Sequence, residues 1–522
     1  MSEINLNYDR IILINASGIG AAPPGPGNAV SSAETPNLDE LWGTYPHGTL
    51  KSSGRYIGLP EGTPSNSELG LLTIGAGRTI YQDKLQIDLS IDNKTFLNNP
   101  ELLSAIEHAI KNESDLHIVG LLDYKNNNSS IDHLYELITL IKSKGLKPDR
   151  LFIHGILDGE KENAKNILKI LEELESFLAS KRIGRIASLI GSAYTMYTKK
   201  HWDRYQKAYE IYVKGKGFLE TSWHDYLIKS FKAQSYGDFT MPALLISKTD
   251  PNPAVFKDND SIICFNFGDN GFYPISRALE DDDFNYWNRK QLENIYYVGF
   301  TKYSEKYPNK VAFSKEEVQL TITSYLDSLG IKQVKYSEKI GIDKLVKYFN
   351  GDNGFKGENE EWVDIPTPLS VSSFDQLPGM NEEWLAEEVV DYIKEKPETK
   401  FVLVNFVAIS EVTKTGNIEA TIKAVEEVDK SIGVLMNSEH FKDALFIVMS
   451  DHAGAEEMLN VLTGDKMMKN STNDVPLVIA AKDLDNIDLP NGELKDIAPT
   501  ILKLFGIEIP PDMTGRSLIP KK

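Results

Sequence analysis

Short β-branched runs at 10–16, 117–122, 150–157, 185–190, 261–267, 400–406, 444–450 and 476–481 are each followed by a segment of helical character, and this alternation constrains the fold more than any other feature. Strands joined through helices lie parallel, because a parallel pair needs a crossover connection, so the chain is expected to be an α/β protein with mostly parallel sheets. Apolar residues return with a period of about 3.6 at 131–144, 164–179, 315–329 and 418–435, which predicts helices there. The opposite faces of those segments are rich in Lys and Glu, as solvated faces are. Loops of Gly, Pro and Asn separate the elements at 21–28, 124–130, 268–271 and 351–357.

A chain of 522 residues with 41% hydrophobic content holds apolar material for more than one core, so two or three domains are expected. No run of about 18 uninterrupted apolar residues occurs, and the first residues have neither the basic start nor the apolar core of a secretory signal. The expectation is a cytoplasmic protein without membrane insertion. Its 56 basic and 76 acidic residues give a formal charge of −20, which argues against nucleic acid as a partner, since that needs a basic footprint. The one cysteine, Cys264, lies in the apolar run 261–267 and reads as a core residue rather than a nucleophile.

The stretch 58–83 reads Gly-Leu-Pro-Glu-Gly-Thr-Pro-Ser-Asn-Ser-Glu-Leu-Gly-Leu-Leu-Thr-Ile-Gly-Ala-Gly-Arg-Thr-Ile-Tyr-Gln-Asp. It resembles the nucleophile segment of the cofactor-independent phosphoglycerate mutases, a family of the alkaline phosphatase superfamily. Further stretches that resemble the family follow in order at 35–42, 131–134, 201–207, 420–429, 450–458, 496–506 and 513–519. The resemblance implies an alkaline-phosphatase-like three-layer α/β sandwich built from 1–85 and 310–522, with a second α/β domain, phosphotransferase-like, inserted at 86–309. It implies a chemistry in which two manganese ions activate a serine that passes phosphate between two glycerate hydroxyls, while arginines of the inserted domain hold the substrate.

Carried over residue by residue, Ser67 stands at the family nucleophile, ahead of Glu68 and Leu69, where a helix start can cradle an anion. Its other reading is a helix N-cap. Asp451 and His452 match a metal-binding pair, but the aspartate expected after the first strand is Ser17, and the remaining ligand positions are occupied by Ser410, Lys414 and Asn470. Leu71 replaces a histidine. In the inserted domain Asn128 replaces a histidine, Glu160 and Lys161 stand at an Arg-Asp pair, Ser192 replaces an arginine, and Gly268 and Gly271 stand at two more arginines. Arg185 and Lys339 do match basic residues of the family.

Hydroxyls and amides are weak ligands for divalent ions, and lost donors in a phosphoryl-transfer site typically cost about 2–4 kcal/mol each in the transition state. The expectation is therefore a catalytically inactive mutase homologue that serves as a scaffold or protein-binding component, with no cofactor and with phosphoglycerate deprived of its clamp. Its expected partner is a protein or a larger assembly. The alternative is residual or altered phosphoglycerate mutase or phosphatase activity from a rearranged centre using Ser67, Lys339, Lys414 and Asp451, with Mn2+ or Mg2+ weakly bound. A further alternative is a non-catalytic phosphometabolite sensor that uses Arg185 and Lys339.

Overall fold

In a strand, neighbouring side chains point to opposite faces, so an uninterrupted apolar run has to be covered on both. The computed structural model describes residues 8–520 except 125–127, 159–163, 197–200, 234–236, 247–251, 269–271, 304–309, 369, 482–483 and 485–487. The strands of the described residues are, in chain order, β1 (Ile11–Ala16), β2 (His47–Lys51), β3 (Leu116–Leu121), β4 (Leu151–Leu157), β5 (Arg185–Gly191), β6 (Phe218–Glu220), β7 (Ala243–Leu245), β8 (Ser261–Cys264), β9 (Tyr296–Gly299), β10 (Lys310–Val311), β11 (Gln333–Glu338), β12 (Glu360–Ile365), β13 (Phe401–Phe406), β14 (Leu445–Met449), β15 (Val475–Ala480) and β16 (Gly492–Glu493). They form two mixed sheets, ordered β12-β11-β13-β1-β14-β15-β2-β16 and β10-β9-β8-β3-β4-β5-β7-β6. The chain divides into two compact units, Met1–Tyr81 with Glu316–Lys522, and Gln82–Lys315.

In the first unit β1 runs parallel to β13 and β14, with Asn15 level with Asn405 and Met449. Ile11 and Leu13 join one apolar cluster with Leu403 and Ile447, while Ile12 and Ile14 join another with Val402, Val404 and Val448. Helices close both faces, which makes three layers. The second unit repeats the arrangement: Ile118 and Ile153 face one cluster, and Val119, Ile156 and Cys264 face the other. Burial pushes the Cys264 thiol up to about 12, so it stays protonated in the core. No helix among the described residues is long and apolar enough to cross a membrane.

All the β-branched runs of the sequence contain strands, but the helix expected over 315–329 occupies only Ile322–Ser328, and β11 was not anticipated. Its sequence, Gln-Val-Lys-Tyr-Ser-Glu, alternates like a half-exposed strand, yet all six residues are buried. The polar ones bring their own partners inside. Lys335 pairs with Glu360, which also accepts from Asn350 Nδ2 at 3.0 Å and Gly357 N at 3.0 Å. Burial lowers the Lys335 ammonium to about 8 even beside this carboxylate.

Removing one partner of such a pair strands a charge in the core. Glu360→Ala is expected to cost about 3–5 kcal/mol of stability in urea unfolding, whereas the double variant Lys335→Met, Glu360→Leu is expected to cost much less.

Candidate active site

Parallel strands end together, and the loops that leave β1, β13 and β14 meet at the carboxyl edge of the first sheet. β1 runs into Ser17, β14 into Ser450, Asp451 and His452, and β13 into the short helix Ala408–Thr413 that carries Ser410. Ser17 Oγ donates to Asp451 Oδ1 at 2.8 Å, and His452 Nδ1 lies 3.0 Å from the same oxygen. His452 Nε2 is 3.1 Å from Ser410 Oγ. All four residues are buried. Gly18, at φ 104°, is needed for this closeness: a Cβ there would lie 3.0 Å from the Ser410 backbone in a conformation that disfavours side chains.

Ser67 enters on the helix Ser67–Ala76. Its cap is Asn66, whose side chain accepts from Leu69 N at 2.9 Å, so the capping role read for Ser67 belongs to its neighbour. That helix presses on the Asp451 backbone through Gly70, where a Cβ would stand 2.2 Å from the Asp451 carbonyl oxygen. Burial pushes the Asp451 carboxyl up, but His452, Ser67 and Ser17 outweigh it and hold the group below its ordinary value, so it is ionised. Its Oδ2 is buried and completes no hydrogen bond.

The other candidates of the first unit play different parts. Asn470 Nδ2 donates to Ser65 O at 2.7 Å and so steadies the loop ahead of Ser67. Leu71 is a core residue. Lys414 is half exposed and pairs with Glu411, three residues back on its own helix, rather than with Asp451 or His452. Lys339 opens the helix Lys339–Phe349 directly after β11, with Nζ 3.8 Å from both Asp343 and Asp364.

In the second unit Asn128 and Gly268 are brought together after β3 and β8. Asn128 O accepts from Phe267 N at 2.8 Å, and Gly268 N donates to Asp83 Oδ2 at 3.0 Å. Ser192 bonds to Asp238. Arg185 sits at the opposite edge, at the start of β5, stacked over Phe152 and donating to Leu245 O at 2.6 Å. Glu160, Lys161 and Gly271 lie outside the described residues.

A second group of donors was missed by the sequence reading. Asp115, His117 and Asp260 are buried at the amino edge of the second sheet, each offering one ligand atom within 4.8 Å of the others. Asp115 also pairs with Arg150 at 2.9 Å and Lys257 at 3.3 Å, and His117 Nδ1 lies 2.9 Å from His154 Nε2. Aspartate directly ahead of two strands that prove to be neighbours was the available signal, but 145 residues separate Asp115 from Asp260.

A serine at a helix start and an Asp–His pair thus meet at the carboxyl edge of a mixed sheet, in the first of two α/β units. The family described as the BPG-independent PGAM N-terminus matches residues 87–305. The 2,3-bisphosphoglycerate-independent phosphoglycerate mutase of Clostridium tetani is 36% identical over 519 residues, covering 99% of this chain and 100% of that one. Mutase 2 of Methanosarcina acetivorans is 35% identical, with 98% and 97% covered. A crystal structure of Leishmania mexicana phosphoglycerate mutase at low cobalt concentration shares the fold, with a TM-score of 0.61, 24% identity and 99% of each chain covered. The chain belongs to the 2,3-bisphosphoglycerate-independent phosphoglycerate mutase family.

Two expectations are corrected here. The inactive scaffold with a degenerate metal site is overturned by relatives that match end to end and are named as mutases. The expected absence of a metal is overturned by the donors present: ligands were counted only at aligned positions, which left out the cluster of Asp115, His117 and Asp260. The free Oδ2 of Asp451, a buried anionic oxygen without a partner, likewise fits a divalent ion.

Manganese is expected to raise the unfolding temperature of the wild-type chain, and Asp451→Asn is expected to abolish that rise in thermal melts. A rise kept by Asp451→Asn but lost in Asp260→Asn assigns the ion to the second cluster instead.

Proposed function

We propose that the chain interconverts phosphoglycerates by phosphoryl transfer through Ser67, at an altered centre. The observation that carries this reading is the placing of Ser67, relieved of capping by Asn66, at a helix start beside the ionised Asp451. The backbone N–H groups of that first turn favour a phosphate group.

In the first half-reaction Ser67 Oγ attacks phosphorus and the ester P–O bond of the substrate breaks. The Ser67 proton passes to Asp451, and the departing glycerate alkoxide takes a proton from water. In the second half-reaction the other glycerate hydroxyl releases its proton to water as it attacks the phosphoserine, the Ser67 O–P bond breaks, and Asp451 returns its proton to Ser67 Oγ. His452 keeps Asp451 ionised and oriented between turnovers through its Nδ1 contact, with Ser410 holding the far side of the ring. A divalent ion held by Asp451 Oδ2 supplies Lewis-acid charge when bound.

Conversion of 3-phosphoglycerate to 2-phosphoglycerate, followed by a coupled assay with manganese present, is expected to be measurable and to fall at least about a thousandfold in Ser67→Ala. Turnover untouched by that substitution overturns the proposal. Lys414→Ala, whose ammonium faces Glu411 rather than Asp451, is expected to change kcat by less than about threefold.

A further inference from the structure

Two segments grip the loop ahead of Ser67. Ser65 is buried, its Oγ accepts from Ala453 N at 3.4 Å, and its carbonyl oxygen accepts from Asn470 Nδ2 at 2.7 Å. The next residue of each segment is held in turn by one buried side chain, that of Glu456. Gly454 N donates to Glu456 Oε2 at 2.8 Å, while Ser471 Oγ and Asn473 Nδ2, the latter at 3.0 Å, donate to Oε1. Ser471 Oγ also accepts from Asn473 N at 3.2 Å, which folds 471–473 around the carboxyl group.

The carboxyl group has no room to shift. A Cβ on Gly20 would stand 2.2 Å from both Cδ and Oε2 of Glu456, so the chain after β1 closes directly over it. The hydrogen bonds of Glu456 go to Gly454, Ser471 and Asn473 rather than to Ser67, Asp451 or His452, so its influence on the reaction passes through Ser65. The far side of 470–474 is anchored separately, with Ser52 Oγ donating to Asn473 O at 3.0 Å and Ser53 Oγ to Thr472 O at 2.9 Å. Losing Glu456 therefore frees the face toward Ser65 and leaves the other face tied.

We infer that Glu456 is a positioning residue for Ser67: its two oxygens hold Ala453 and Asn470 at the spacing that fixes Ser65, two residues before the nucleophile. A carboxyl group suits the task because its two oxygens, rigidly spaced, accept from donors on both sides at once. Phosphoryl transfer tolerates little error in the attacking atom, and a misplacement of about 1 Å costs about a hundredfold in rate. The part Glu456 plays in turnover rests on the reaction through Ser67, whereas its grip on the loop does not.

Kinetics and hydrogen exchange on the full chain test this. Glu456→Ala is expected to lower kcat for 3-phosphoglycerate about a hundredfold and to change KM by less than about threefold. Glu456→Gln, whose amide oxygen still accepts from Ser471 and Asn473, is expected to recover about tenfold of that loss. Gly20→Ala keeps the carboxyl group but takes its room, and is expected to match Glu456→Ala within about threefold. Glu457→Ala, at the exposed neighbour, is expected to change kcat by less than about threefold. Amide exchange in peptides covering 65–70 is expected to speed up about tenfold in Glu456→Ala and Gly20→Ala, with peptides of β11 unchanged. An unchanged kcat, or exchange raised in β11 as much as in 65–70, overturns the inference. Wild-type turnover indifferent to Ser67→Ala overturns the reaction itself, and the exchange comparison then decides alone whether Glu456 holds the loop. Should Glu456→Ala fail to fold, Glu456→Gln and Gly20→Ala decide the matter.

Discussion

A carboxylate stripped of water costs several kcal/mol unless its oxygens are satisfied, and in this chain the organisation of the first unit's strand ends follows from satisfying Asp451. Ser17, at the end of β1, and His452, its own neighbour, both reach Oδ1, and Ser67 approaches from the helix Ser67–Ala76. The partners come from chain segments hundreds of residues apart, so the site exists only when the parallel sheet has formed. Gly70 and Gly18 are the steric condition for it, since a Cβ at either would collide with Asp451 or Ser410 backbone.

Other buried ionisable groups are compensated in other ways. Lys335 and Glu360 neutralise each other beneath the helix Lys339–Phe349. His154 is neutral: burial, followed by His117 and Arg185, holds its imidazole well below the ordinary value, while its two nitrogens contact His117 and Ser188. Glu338 and Glu382 have no ion-pair partner among the described residues, and burial raises both carboxyls above the ordinary range. Ion pairing and neutrality thus solve the same desolvation problem at different places.

The fold was readable from the chain because its signal is local. β1, β4, β13 and β14 are mostly apolar, and their alternating contributions to two clusters on either side of a sheet follow from strand geometry alone. β11 escaped because the burial of Lys335 depends on Glu360 and Asn350, which no local pattern links to it. The site was half readable. Ser67, Asp451 and His452 were found by their motifs, and Ser17 and Ser410 by position, yet reading substituted ligands as lost function ignored what hydroxyls do around a buried carboxylate. They are not empty positions: Ser17 and Ser410 fix Asp451 and His452 in place. Arg185 shows the converse error, since a basic residue in the right stretch faces the wrong edge of its sheet.

The central claim is that Ser67 carries the phosphoryl group between the two half-reactions. The direct test is to mix the protein with 32P-labelled 3-phosphoglycerate, quench during turnover and map the label by peptide mass spectrometry. The account predicts phosphoserine at position 67, absent from Ser67→Ala. Product formation with no covalent phosphate, or label on another residue, would contradict it.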